Sequence, residues 1–211
     1  MAGRDLSQAE TIITSQSGTL VPVSLKNQRK KPVRTPLPAC IDYIDIFFRA
    51  LSKLISLKTI SGSSSHTEEC RRGATFLKNL LKQLGATATT LIPSPLPGRN
   101  PVVLGQFKSP STKAKSILFY GHYDVVTAST GSQEWTDDAF ALAGRDGFYY
   151  ARGVSDNKGP ILAAMFAAAD LLREGREVNI TFLIEGEEEC GSKGFAECVK
   201  SKKVCKPSSR C

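Results

Sequence analysis

The sequence predicts an α/β fold built on a mostly parallel sheet. Segments with the 3.6-residue apolar period of a helix alternate with short apolar and β-branched runs. One run, Ile117 to Tyr120, is continuously apolar, as in a strand buried on both faces. Polar clusters follow three of the predicted strands, at the end of an open α/β sheet where ligands bind.

Residues 1–38 read as a disordered leader or linker. They are rich in Ser, Thr, Gln, Lys and Pro, and Pro32, Pro36 and Pro38 interrupt any regular element. The folded unit is expected over residues 39–200. It opens with a helix over 39–57, whose stripe is Ile41, Ile44, Phe47, Phe48, Leu51, Leu54 and Ile55. A Ser/Gly loop leads to a second helix from about Thr67 to Leu84, with Gly85 placed to end it. Strands are expected at 87–92, 102–107, 116–120, 147–151 and 178–184. A helix is expected from Lys158 to Arg173 and another from Lys193 to Lys202. Residues 201–211 read as a basic tail.

Charge is distributed unevenly. The formal +8 resides at the ends: residues 1–35 carry six Lys/Arg against Asp5 and Glu10, and residues 200–211 carry five Lys/Arg and no acid. The body between them is close to neutral, which argues against a nucleic-acid-binding face. No apolar run reaches the roughly 18 residues of a membrane helix, and the N-terminus lacks the apolar core of a secretory signal. The six cysteines form no C-x-x-C pair, so they read as reduced thiols of a cytoplasmic protein. The spacing of Cys198, Cys205 and His122 matches no zinc pattern.

The three polar clusters are Tyr120-Gly121-His122-Tyr123-Asp124, Gly153-Val154-Ser155-Asp156-Asn157-Lys158-Gly159, and Glu185 through Ser192. Imidazole and carboxylates are the donors of a metal hydrolase, and a carboxylate can bridge two metals. The His-x-Asp spacing lets Asp124 stand behind the imidazole of His122 and accept its N–H. Adjacent Glu188 and Glu189 can divide the work, one ligating and one acting on water. Each cluster also has an ordinary structural reading: a chance His-x-Asp, a helix N-cap at Asp156, a solvated acidic run. Their order and their placement at strand ends favour the metal site.

These motifs, with Trp135 through Phe140 and Glu188-Glu189-Cys190-Gly191-Ser192, resemble the co-catalytic dinuclear zinc metallopeptidases. That family includes carboxypeptidase G, carnosinase, aminoacylase and succinyl-diaminopimelate desuccinylase. The Gly-Val-Ser-Asp-Asn-Lys-Gly-Pro stretch and Gly98-Arg99-Asn100-Pro101-Val102 look most like the metallopeptidase subunit of the fungal glutathione-degrading complex. The resemblance implies a three-layer α/β/α zinc-peptidase catalytic domain, incomplete at its C-terminal side, that hydrolyses peptide or amide bonds in small peptides. It implies His122, Asp156 and Glu189 as metal ligands, Asp156 bridging two Zn²⁺ (Mn²⁺ or Co²⁺ also suit the donors), and a cis Asp156–Asn157 peptide. Glu188 would be the general base and Asp124 would orient His122. Full-length relatives would form homodimers or complexes.

Two local departures, Ala139 in place of Pro and Ala151 in place of Gly, touch turns and not the chemistry. The larger one concerns ligands. The family supplies a further Asp or Glu and a C-terminal His, and only His66 accompanies His122 here. His66 matches no ligand position. The expectation is therefore weak or absent turnover from this chain alone. The alternative is a non-catalytic regulatory or interaction fragment of such an enzyme.

Overall fold

The computed structural model describes residues 43–128 and 135–202, with the backbone alone of Thr11–Thr14 and Leu20–Val23. Those two short strands, β1 and β2, pair antiparallel. They fall inside the leader expected over 1–38, whose other residues lie outside the described ones. Of the expected 201–211 tail, only Ser201 and Lys202 are described, as the end of a helix.

The folded body begins with α1 (Tyr43–Ser56), which turns Ala50, Leu51, Leu54 and Ile55 inward. A one-turn 3-10 segment leads into α2 (Thr67–Gln83), which buries Cys70, Ala74, Leu77, Leu80 and Leu81. Gly85 ends α2 at φ +97°, a conformation that costs a residue with a Cβ. Its N–H donates to the Lys82 carbonyl (3.1 Å) and the Ala86 N–H to that of Leu81 (3.0 Å), closing the helix as a Schellman motif.

Strands β3 (Ala88–Ile92), β4 (Val102–Phe107), β5 (Lys115–His122) and β8 (Val178–Glu185) form the central sheet in the order β3-β4-β8-β5. Between β5 and β8 come the hairpin of β6 (Ala143–Arg145) and β7 (Phe148–Tyr150) and the helix α3 (Lys158–Arg173). The hairpin turns at Asp146-Gly147, both at positive φ; the Asp-Gly pair signals such a turn, although periodicity indicates only its second strand. The chain continues into α4 (Phe195–Lys202).

The α/β class holds, but the sheet is mixed and not mostly parallel. β3–β4 and β4–β8 run antiparallel; only β5–β8 is parallel. The connections explain this. A short Pro-rich link joins β3 to β4 and cannot supply a crossover, whereas α3 supplies one between β5 and β8. The apolar run of β5 is also not buried on both faces: Ile117, Leu118 and Tyr120 are about half exposed. In the described sheet β5 is an edge strand.

Three layers are visible. On one face Val103, Phe107, Ile180, Phe182 and Ile184 pack against α1, α2 and α3 in the main core. On the other, Ile92, Val102 and Leu183 meet Cys198 of α4, with Phe195 and Val199 beside it. Among the described residues no helix is long and apolar enough to cross a membrane.

Candidate metal centre

The parallel register of β5 and β8 sets His122 opposite Glu185, so the polar segments after both strands emerge at the same end of the sheet. The N-terminus of α3 arrives there too. Gly121 permits its approach: a Cβ at that position would stand 2.6 Å from Asn157 Oδ1 and 2.9 Å from Ile161 Cγ1. Asn157 Oδ1 instead accepts the His122 N–H at 3.3 Å. The Asp156–Asn157 peptide is cis.

His122 is largely buried, and its two ring nitrogens face different groups. Nε2 lies 2.9 Å from Asp156 Oδ1 and 3.9 Å from Glu188 Oε2. Nδ1 lies 3.4 Å from Asp124 Oδ1 and 3.2 Å from the Asp124 carbonyl oxygen. Asp124 is fully buried, and its carboxylate also accepts the backbone N–H groups of Glu188 (3.2 Å) and Glu189 (3.1 Å). The side chains of Asp156 and Glu188 reach solvent, at 67% and 40% exposure. One donor atom from each of His122, Glu188 and Glu189 falls within 4.8 Å of the others. All five residues singled out in the sequence therefore converge. His66 does not join them; its Nδ1 pairs with the hydroxyls of Ser63 and Ser65.

The crowding of acids around one imidazole shows in its protonation. Burial works against the imidazolium, but hydrogen bonding and attraction from Asp124 and Asp156 outweigh it and raise the pKa to about 9. Burial raises the Glu189 carboxyl as well; His122 opposes the rise, while Asp156, Asp124 and Glu188 add to it. A bound dication would relieve that repulsion.

Three buried charged residues beside the cluster escaped the sequence reading. Lys158 is fully buried and donates from Nζ to the carbonyls of Leu54 (3.0 Å) and Leu57 (2.8 Å), tying the Asp156 loop to the end of α1. Burial lowers its pKa to about 7. Glu185 accepts hydrogen bonds at Oε1 from Tyr120 Oη (2.6 Å) and Ser192 Oγ (2.9 Å). Glu187 turns away from the cluster to Arg99 and Asn100. Nothing in an acidic run tells which members point inward. The one available signal was the Arg99-Asn100 pair, a cation without an assigned partner.

Residues 118–207 match the family model described as Peptidase family M20/M25/M40. The chain belongs to the M20 peptidase family. It is 42% identical over 152 residues to a probable di- and tripeptidase, DUG2, of Saccharomyces cerevisiae, an alignment that covers 67% of this chain and 17% of that one. To the Beta-Ala-His dipeptidase of Homo sapiens it is 34% identical, covering 80% and 37%. Among solved structures, the di-peptidase Dug1p of Saccharomyces cerevisiae superposes with a TM-score of 0.67 at 31% identity, covering 74% of this chain and 35% of that one. Human carnosine dipeptidase 1 superposes with a TM-score of 0.66 at 33% identity, covering 76% and 36%. The chain thus spans between 17% and 37% of the length of these relatives. A metal cofactor follows from the family, and the imidazole and carboxylates gathered here fit one in both donor type and spacing.

Proposed function

We propose that this chain carries part of the metal centre of a hydrolase that cleaves peptide bonds in small peptides. The observation that carries the reading is the grouping of His122, Glu188 and Glu189 donor atoms within 4.8 Å, with Asp156 on the same imidazole nitrogen. His122, Asp156 and Glu189 would hold two Zn²⁺, with Mn²⁺ or Co²⁺ as substitutes. When bound, the metals would polarise the scissile carbonyl and lower the pKa of water.

The chain's own groups have these roles. Asp124 fixes the tautomer of His122 from behind, which leaves Nε2 free to ligate. Glu188, part-exposed at the mouth of the cluster, takes a proton from the attacking water and gives it to the leaving amine. The division between the glutamates, Glu189 as ligand and Glu188 as base, comes from the family resemblance; the geometry brings both to the imidazole.

Di- and tripeptides, including the Cys-Gly products of glutathione breakdown, are the substrates we favour, because the relatives are named for such peptidases. We place the unit at residues 39–200 of a cytoplasmic protein that works as a homodimer or complex subunit, as its relatives' resemblance implies. Because the sequence supplies one imidazole to the cluster, turnover by this chain alone is expected to be weak. Calorimetry with Zn²⁺ should show uptake that His122→Ala and Glu189→Gln each weaken more than about 100-fold, beyond the usual cost of a supporting contact. Glu188→Gln should retain uptake and abolish any hydrolysis of Cys-Gly. Zinc binding indifferent to His122→Ala would refute the assignment.

A further inference from the structure

The turn that bears Glu188 and Glu189 is gripped from two sides. One grip is Asp124, through the N–H groups of both glutamates. The other is Glu187, which precedes the pair and faces the opposite way. Its side chain is only 6% exposed. Oε2 lies 3.0 Å from Arg99 Nη1, and Oε1 accepts the Asn100 N–H at 2.9 Å. The Cys190 thiol donates to Oε2 at 3.1 Å. The Asn100 amide donates Nδ2–H to the Gly186 carbonyl at 2.8 Å, and the Glu187 carbonyl accepts the N–H of Ser192 at 2.7 Å.

A buried carboxylate is an expensive way to fill this space. An apolar side chain of similar volume would pack there without the desolvation cost. What the ion pair adds is direction: it ties the glutamate turn to the β3–β4 link, some 90 residues away along the chain and rooted in the central sheet. Without it, the turn would be held by Asp124, by the hydrogen bonds of Asn100 and by its own short-range bonds.

We propose that Arg99, Asn100 and Glu187 form a clamp that holds the Glu188–Glu189 turn where both carboxylates meet His122. All three are positioning residues. The inference rests on reading that pair as part of a metal centre.

Arg99→Ala, Arg99→Lys and Glu187→Gln in the whole chain test it. In the metal-free protein, amide hydrogen exchange at Glu188 and Glu189 should quicken about tenfold or more in Arg99→Ala, while amides of the main core are unchanged. Zinc affinity should fall about 10–100-fold, the usual cost of losing a supporting contact. The visible absorption of added Co²⁺ should shift, as a purely structural role would not require. Arg99→Lys should recover part of each effect. Unchanged exchange and an unchanged Co²⁺ spectrum in Arg99→Ala would overturn the clamp while leaving the metal centre standing. Should the unaltered chain bind neither Zn²⁺ nor Co²⁺, the metal-centre reading fails and the clamp falls with it. If Arg99→Ala does not fold, Glu187→Gln decides, because it removes the ion pair and keeps an acceptor for Asn100.

Discussion

The two faces of the central sheet are built differently. One is covered by α1, α2 and α3 and holds the main core, with Phe182 and Ile184 fully buried. The other meets α4 over β8 and its neighbours, and leaves Leu118 and Tyr120 of β5 about half exposed. The candidate metal cluster sits at the strand ends between them, and the covered side supplies one of its loops. α3 brings Asp156, and Lys158 ties that loop to α1. The covered face thus holds the Asp156 loop, whereas the Glu188–Glu189 turn is held by Asp124 and by Arg99 and Asn100 of the β3–β4 link.

Substitutions on the two faces should therefore separate by size. Phe182→Ala removes a fully buried ring from the covered face and should cost about 3–5 kcal/mol of unfolding free energy, measured by denaturant melts. An effect below about 1 kcal/mol would mean that the main core does not support the sheet. Lys158→Met keeps the packing of the stem but removes two hydrogen bonds, leaving the Leu54 carbonyl with only the Leu57 N–H and the Leu57 carbonyl with only the Thr59 N–H. A loss of about 1–3 kcal/mol is expected in the same melts, with weaker metal uptake as the loop loosens.

Glu185 on the open face sharpens the contrast through pH. It is nearly fully buried, and its Oε2 has no hydrogen-bond partner among the described residues. Burial raises its carboxyl above the ordinary value of 4.5, against the hydrogen bonds from Tyr120 and Ser192. As pH climbs past that value the unfolded chain releases the proton first, so the unfolded state gains and the protein loses stability. Glu185→Gln cannot ionise. Its stability relative to the unaltered chain should improve as pH rises above 4.5; a difference that is flat or falls with pH would contradict the upward shift that burial imposes. Leu118→Ala should be the mildest change, within about 1 kcal/mol, because half of that side chain already meets water. A loss as large as that of Phe182→Ala would show the open face to be covered in solution.

Much of this was legible beforehand because the signals are local. Helix α3 begins and ends where its periodicity and the Lys158–Arg173 boundary indicate, and β4 occupies Val102–Phe107 as read. Gly85 stops α2 by the positive φ that only glycine adopts cheaply. The five candidate site residues were named from their chemistry and their place after strands, and they stand together in space. What was misread is long-range. An apolar run such as Ile117–Tyr120 has the same composition in a central strand as in an edge strand, so sequence could not say that β5 lies at the side of the sheet. Pairing direction followed from which segment fills each connection, and the β3–β4 link is too short to cross over.

The sequence by itself determined the elements, the α/β class, the family and the candidate donors, because propensity, periodicity and motif spacing act over a few residues at a time. Tertiary structure decided the strand order, the mixed pairing, and which members of the acidic run 185–189 turn inward to Tyr120 or Arg99 and which turn out to His122. Adjacent glutamates are chemically identical until packing gives one a guanidinium and another an imidazole, and those partners come from segments distant in the chain.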